Sequence, residues 1–320
     1  MQNAQTYLEV VRDRGERRLE LRRVYRQLKN QELFLLAYAK LYANAGALTP
    51  GIDPKDTIDA MSLKKIDSII HALETGTYRW KPVRREYIPK KNGKLRPLGL
   101  PSWSDKLLQE VLRMILSAYY EPQFSENSHG FRPGRGCHTA LQNIYLTWKG
   151  TKWFIEGDIK GCFDNICHSK LLEILSRNIK DERLMKLIKG MLDAGYMEDW
   201  KYNQTYSGVP QGGVCSPILT NVFLNELDTY IEQVLIPQYT KGDRRRVNPE
   251  YARIREAQLA AKKNGNLKKH RLLRKIQQNM PSKVTDDPDY RRLRYCRYAD
   301  DCAPRKLKAQ ESVRAELYRR

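Results

Sequence analysis

Tyr298-Ala299-Asp300-Asp301, set between basic and aromatic residues, and Gly157-Asp158-Ile159-Lys160-Gly161-Cys162-Phe163-Asp164 are the two segments that decide the fold. Residues 153–159 are strand-like, with Phe154, Glu156 and Asp158 on one face and Ile155, Gly157 and Ile159 on the other. Residues 293–298 read as a second strand running into the two aspartates. A fold that aligns the ends of these strands gathers Asp158, Asp300 and Asp301 at one point. The surrounding chain carries 58 Lys and Arg against 37 Asp and Glu, a formal charge of +21. Acids gathered inside a basic protein predict magnesium chemistry on a polyanion, since Mg2+ takes a few carboxylate oxygens and completes its octahedron with phosphate and water.

The basic excess makes nucleic acid the leading partner and predicts salt-sensitive association, with a merely solvated basic surface as the alternative. The 320 residues are 41% hydrophobic, enough to bury a core in two sub-domains. Six cysteines occur without a CxxC pair or metal-finger spacing, which predicts free thiols in a reducing compartment. No signal-like segment and no apolar run of membrane length is present, so a cytoplasmic protein is expected.

Moving outward, residues 1–45 are expected to be helical, first arginine-rich and then apolar, forming a basic arm or a solvated helix face. A turn at 48–54 precedes a helix from Ser62 whose Ile66, Ile69, Ile70 and Leu73 recur at helical spacing. Residues 84–99 form two strand-like runs around Asn92-Gly93, a hairpin whose Lys90, Lys94 and Arg96 are placed to touch phosphates or to guard an edge. An amphipathic helix is predicted over 105–120, and a rigid loop at 130–136 offers Arg132 and Arg135. Helices follow from Ser169 and Glu182, then a glycine-flexible loop around Gln211 and a helix over 216–236. The polar insertion 241–294 holds 17 Lys and Arg against 6 Asp and Glu, including Arg244, Arg245 and Arg246, and 249–278 is helix-compatible. It reads as an RNA-contacting excursion, or as a solvated helical hairpin.

The ordered set LTPGID at 48–53, IPKKNGKLRPLGLP at 88–101, HGFRPGRGCHTAL at 129–141, GDIKGCFDNI at 157–166, GVPQGGVCSPILTNVFLNELD at 208–228 and RYADD at 297–301 resembles the reverse transcriptases encoded by group II introns, which also act as splicing maturases. The resemblance spans about residues 45–301. It implies an α+β right-hand polymerase: an N-terminal arm (1–45), helical-plus-hairpin fingers (46–150), and an antiparallel-sheet palm (151–301) interrupted by the insertion 241–294. It also implies that Asp158, Asp300 and Asp301 hold two Mg2+ ions. Phe163 would lie under the incoming sugar and exclude a 2'-hydroxyl. Lys90 and Arg96, with Lys94 as competitor, would grip the triphosphate, and Gln211 would lie near the nucleotide. Arg132 and Arg135 would face template phosphates, although Gly136 replaces a serine common in that family segment. The implied partners are intron RNA, an RNA template, a DNA primer and dNTPs.

The tail at 302–320 departs from the family pattern. A β-branched return strand should follow Asp301, but Cys302-Ala303-Pro304-Arg305-Lys306 carries a proline and charge. The expectation is therefore a polymerase truncated before the thumb, its activity in doubt; a non-catalytic intron RNA-binding splicing factor is the alternative.

Overall fold

A computed structural model describes residues 3–44, 48–89, 93, 95–151 and 153–305. Lys90, Lys94 and the tail residues 306–320 lie outside the described residues. The elements run α1 (Ala4–Glu16), α2 (Gln31–Tyr42), α3 (Leu63–Thr75), β1 (Val83–Pro89), β2 (Leu95–Leu100), α4 (Trp103–Tyr120), α5 (Cys137–Thr147), β3 (Gly157–Asp158), α6 (Cys162–Asn165), α7 (His168–Asn178), α8 (Glu182–Leu192), β4 (Tyr196–Glu198), β5 (Lys201–Asn203), α9 (Ser216–Tyr230), α10 (Ile236–Tyr239), α11 (Pro249–Lys263), α12 (Leu267–Gln278), β6 (Arg294–Tyr298) and β7 (Asp301–Arg305). The class is α+β. Among the described residues no helix is long and apolar enough to cross a membrane.

The chain divides into two compact units. The first comprises Met1–Gln142, Asp158–Thr229 and Arg297–Asp301; the second takes Asn143–Gly157, Tyr230–Cys296 and the described residues from Cys302. The centre of the first unit is α4. Ser102 caps it by accepting from the Asp105 amide, and its side chains are buried almost all round, including the polar Lys106, Gln109 and Glu110. The amphipathic helix expected here is instead a core helix, because its polar groups find internal partners: Lys106 donates to the Thr49 carbonyl at 2.7 Å and Glu110 accepts two bonds from Arg113 at 2.6 Å.

The N-terminal segment, expected as a basic arm, packs against this helix. Ala4, Tyr7, Val11 and Gly15 form the buried stripe of α1, and a Cβ on Gly15 would stand 2.1 Å from the Tyr119 carbonyl oxygen, so only glycine admits the approach. The arginines of this stretch remain outside in exposed pairs such as Arg12 with Glu16 and Arg17 with Asp13. Helix α3 forms as its spacing predicts: Ser62 caps its start, Gly76 ends it at φ 72°, and Ile66, Ile69 and Leu73 are buried.

The hairpin β1–β2 is antiparallel, with Ile88 opposite Arg96, and β1 also pairs in parallel with β4, giving a sheet of order β2-β1-β4-β5. A second sheet has the order β3-β7-β6. Only Gly157 and Asp158 of the expected strand 153–159 join it; Trp153 and Phe154 are about half exposed, and the Phe154 ring tilts against Trp148 at 5.6 Å instead. The return strand that the sequence argues against does form over Asp301–Arg305.

In the second unit the helix that begins as α9 passes through a π-turn at Ile231–Leu235 just before Pro237, whose missing amide disfavours a regular ladder there. The insertion folds as two helices, α11 capped by Asn248 and α12 capped by Asn266, packed on each other. At its base the Asp287 carboxylate accepts from the Arg246 amide at 2.7 Å and from the Arg246 guanidinium at 3.1 Å.

Candidate active site

Asp158 ends β3, Asp300 lies in the turn between β6 and β7, and Asp301 opens β7. The Ile159 amide donates to the Asp300 carbonyl at 3.2 Å, which ties the two acidic segments together. Both carboxylates act on the Cys162 thiol. Burial pushes its thiol up to about 11, and the Asp300 and Asp158 carboxylates both add to that rise. Asp158 is exposed and Asp300 half-buried, so both face a solvent-accessible edge. Among the described residues no three His, Cys, Asp or Glu side chains are gathered to hold a metal ion.

The turn itself is held by Arg297. Its side chain and that of Asp228 are fully buried, and they form a two-point pair at 2.7 and 2.6 Å. The same guanidinium donates to Asn221 Oδ1 at 3.3 Å, Ser128 Oγ at 2.8 Å and the Ala299 carbonyl at 2.8 Å. Ala299 stands at φ 55°, a left-handed conformation uncommon for a residue with a Cβ. Residues 127–130 run alongside: Arg297 donates its amide to the Asn127 carbonyl, and His129 donates to that of Arg297. A Cβ on Gly130 would stand 2.3 Å from the Ala299 nitrogen, which requires glycine, and Asn221 Nδ2 fixes the Gly130 carbonyl at 2.9 Å. Arg297, Asp228, Asn221 and Gly130 all lie inside the quoted blocks, yet only their contacts reveal what they do.

Phe163 is half-buried and meets the exposed Phe131 edge-on at 6.0 Å. The Val209 amide donates to the Phe163 carbonyl at 2.7 Å, which brings the 208–213 loop to the same place. The Gln211 carbonyl accepts from the Gly99 amide at 2.6 Å, and Gly212, at φ 104°, leaves only 2.8 Å between its would-be Cβ and the Gly99 oxygen. Gln109 of α4 fixes the far end of the loop by accepting from the Val214 amide. A cavity of about 330 Å³ lies beside this loop, lined by Arg85, Gly99, Asp164, Tyr206 and Gln211 among others. Arg96 is exposed on β2.

The arginine-rich loop divides. The buried Arg132 guanidinium is engaged by Glu121 at 2.8 Å and by the Ser125 and Ser128 carbonyls, and it braces the loop from within. Arg135 is half-buried and pairs with the exposed Glu126. In the insertion Arg244 is exposed, Arg245 lies over the Tyr290 ring at 5.4 Å, and Arg246 is tied to Asp287.

The donor set fits magnesium in kind: two hard carboxylates at an open edge, with coordination positions left for phosphate and water.

Residues 88–241 match the family model described as reverse transcriptase (RNA-dependent DNA polymerase). The chain is 45% identical over 287 residues to the group II intron-encoded protein LtrA of Lactococcus lactis subsp. cremoris, covering 87% of this chain and 48% of that protein. It is 44% identical over 277 residues to an uncharacterized 91 kDa protein in a cob intron of Schizosaccharomyces pombe, covering 86% of this chain and 34% of the relative. It is 33% identical over 290 residues to protein YkfC of Escherichia coli, covering 88% of this chain and 70% of that protein. Thus the chain spans about half the length of LtrA. Among solved structures, a partial Cas6-RT-Cas1–Cas2 complex aligns with a TM-score of 0.44 at 16% identity, over 92% of this chain and 40% of that one.

Proposed function

The chain belongs to the group II intron-encoded reverse transcriptase and maturase family, and from this premise we propose that it is an RNA-directed DNA polymerase. The observation that carries the proposal is the bond from the Ile159 amide to the Asp300 carbonyl at 3.2 Å, which brings the Asp158 and Asp300 segments together. In the proposed reaction a primer 3'-oxygen forms a bond to the α-phosphorus of a dNTP and the bond to pyrophosphate breaks. Two magnesium ions held by Asp158 and Asp300, with Asp301 as the adjoining carboxylate, would lower the pKa of the 3'-hydroxyl and neutralise charge on the leaving group. Phe163, backed by Phe131, presents a ring edge to the sugar and leaves no room for a 2'-hydroxyl. Arg96, together with Lys90 and Lys94 of the same hairpin, binds the triphosphate, where charge-assisted bonds are strongest. Gln211, anchored through Gly99, orients the nucleotide against the primer end.

Template RNA, DNA primer and intron RNA are the proposed partners. The insertion supports the last of these, since α12 carries no buried residue and leaves its basic side chains to solvent. Arg244 and Arg135 are the proposed contacts of this class, with Arg245 and Arg246 available at the insertion's base. Primer extension on an RNA template with dNTPs and Mg2+ tests the reading, with Asp300→Asn as control. Extension that survives in the control refutes the metal assignment. No extension, with salt-sensitive intron RNA binding retained, favours the non-catalytic splicing factor.

A further inference from the structure

Arg297 is an arginine in the position where a charged side chain is hardest to bury. The side chain retains no solvent exposure, and neither does that of Asp228. Removing two such charges from water costs several kcal/mol per ion, and the pair is tolerated only when geometry and extra hydrogen bonds compensate. Here the compensation is directional. Two donors are matched to Asp228 in the fork geometry that only a guanidinium supplies, and the rest reach Ser128, Asn221 and the Ala299 carbonyl.

The Ala299 bond is the informative one. Ala299 carries a left-handed φ of 55° immediately before Asp300, and its carbonyl is held by the side chain of the residue two positions back. The alanine Cβ makes that conformation unfavourable by itself. Gly130 presses on the Ala299 backbone from the other side, and Asn221 holds both Gly130 and Arg297. Asp228 and Asn221 share helix α9, so the conformation of the turn is referred to a rigid element rather than to a loop. An unpaired core structure would need none of this; a hydrophobic pair would fill the same space.

We propose that Arg297, clamped by Asp228, is a positioning residue that holds the Ala299 turn and thereby aims Asp300 at the site shared with Asp158. This deepens the polymerase reading and rests on it for the role of Asp300. Arg297→Lys keeps the charge against Asp228, but a single ammonium cannot span Asp228, Ser128 and the Ala299 carbonyl together.

The test uses the full chain with primer–template bound. Mn2+ binding is titrated by electron paramagnetic resonance, and amide exchange is followed across residues 297–301. Arg297→Lys is expected to weaken Mn2+ binding by about tenfold and to speed exchange at the turn amides by a similar factor, equivalent to about 1.4 kcal/mol of lost positioning. In primer extension kcat falls while KM for dNTP changes less than about threefold, the pattern of a lost transition-state interaction. Leu171→Ala, a core truncation in α7, serves as a matched destabilised control that should leave Mn2+ affinity and turn exchange unchanged. Equal losses in the Leu171→Ala variant, or unchanged turn exchange in Arg297→Lys, overturn the inference. If Asp300→Asn leaves Mn2+ binding intact, the metal reading fails instead, and turn exchange alone still decides whether Arg297 holds the turn.

Discussion

At the residue scale, the two members of the acidic doublet differ in backbone setting. Asp300 sits in the braced turn beside Asp158, whereas Asp301 begins the return strand. Asp158→Asn and Asp300→Asn are each expected to lower the rate of primer extension by about a thousandfold or more, the scale of several kcal/mol of transition-state charge stabilisation. Asp301→Asn should cost distinctly less. Single-nucleotide incorporation rates measure the difference, and equal losses at 300 and 301 would contradict this division. His129 makes a second prediction. Burial, then the nearby Arg135 and Arg132, hold its pKa below the usual 6.5, with Glu126 opposing them. The unfolded chain takes up this proton as pH falls through 6.5, while the folded chain takes it up only at lower pH. Stability is therefore full above 6.5 and declines from there toward the depressed folded value. Melting temperatures between pH 7.5 and 5.5 should fall less steeply in His129→Gln than in the natural chain, where the two pH limits are about one unit either side of the ordinary value.

At the element scale, periodicity and turn chemistry made much of the chain legible. The stripe of α3, the Asn-Gly hairpin, the helix after the glycine loop and the helical insertion are each local patterns, and local patterns survive in a single sequence. What was not legible depends on distant partners. The surroundings of α4 turn an amphipathic pattern into a core helix, and α1 becomes a core layer only because Gly15 meets Tyr119. The buried pairing of Arg132 with Glu121 is not marked in the sequence, and the Arg297–Asp228 pair closes across the insertion. Dependence on distant partners also predicts how the insertion opens. Asp287 is held below the usual carboxylate range by the Arg246 amide first, then the Asp289 amide and the Arg246 side chain. The contribution is present above the ordinary value of 3.8 and disappears as pH falls through the lowered one. Asp287→Asn removes it at neutral pH. Amide exchange near residues 246 and 287 should then rise while the exchange of α4 stays as it was; a change spread equally over both units would refute a local clasp.

At the scale of the whole molecule, the excess charge is unevenly distributed. Residues 241–294 hold 17 Lys and Arg against 6 Asp and Glu, in a chain whose total excess is +21. Asp158, Asp300 and the residues that brace the turn lie in the first unit, whereas this charge lies in the second. Separate placement predicts that RNA retention and nucleotide incorporation can be altered independently. Arg271, Arg274 and Lys275 are exposed on α12, which has no buried residue, so replacing all three by Gln should leave the fold intact. If they touch phosphates of intron RNA, the slope of log affinity against log salt should become shallower by about 2, since each single-strand phosphate contact contributes about 0.7. Binding at low salt should weaken by at least about tenfold, while incorporation on a short unstructured template at saturating primer–template changes less than about threefold. An unchanged slope would mean that the basic helices are a solvated surface. A parallel collapse of incorporation would mean that the second unit also holds the primer–template, and that recognition and chemistry share one surface.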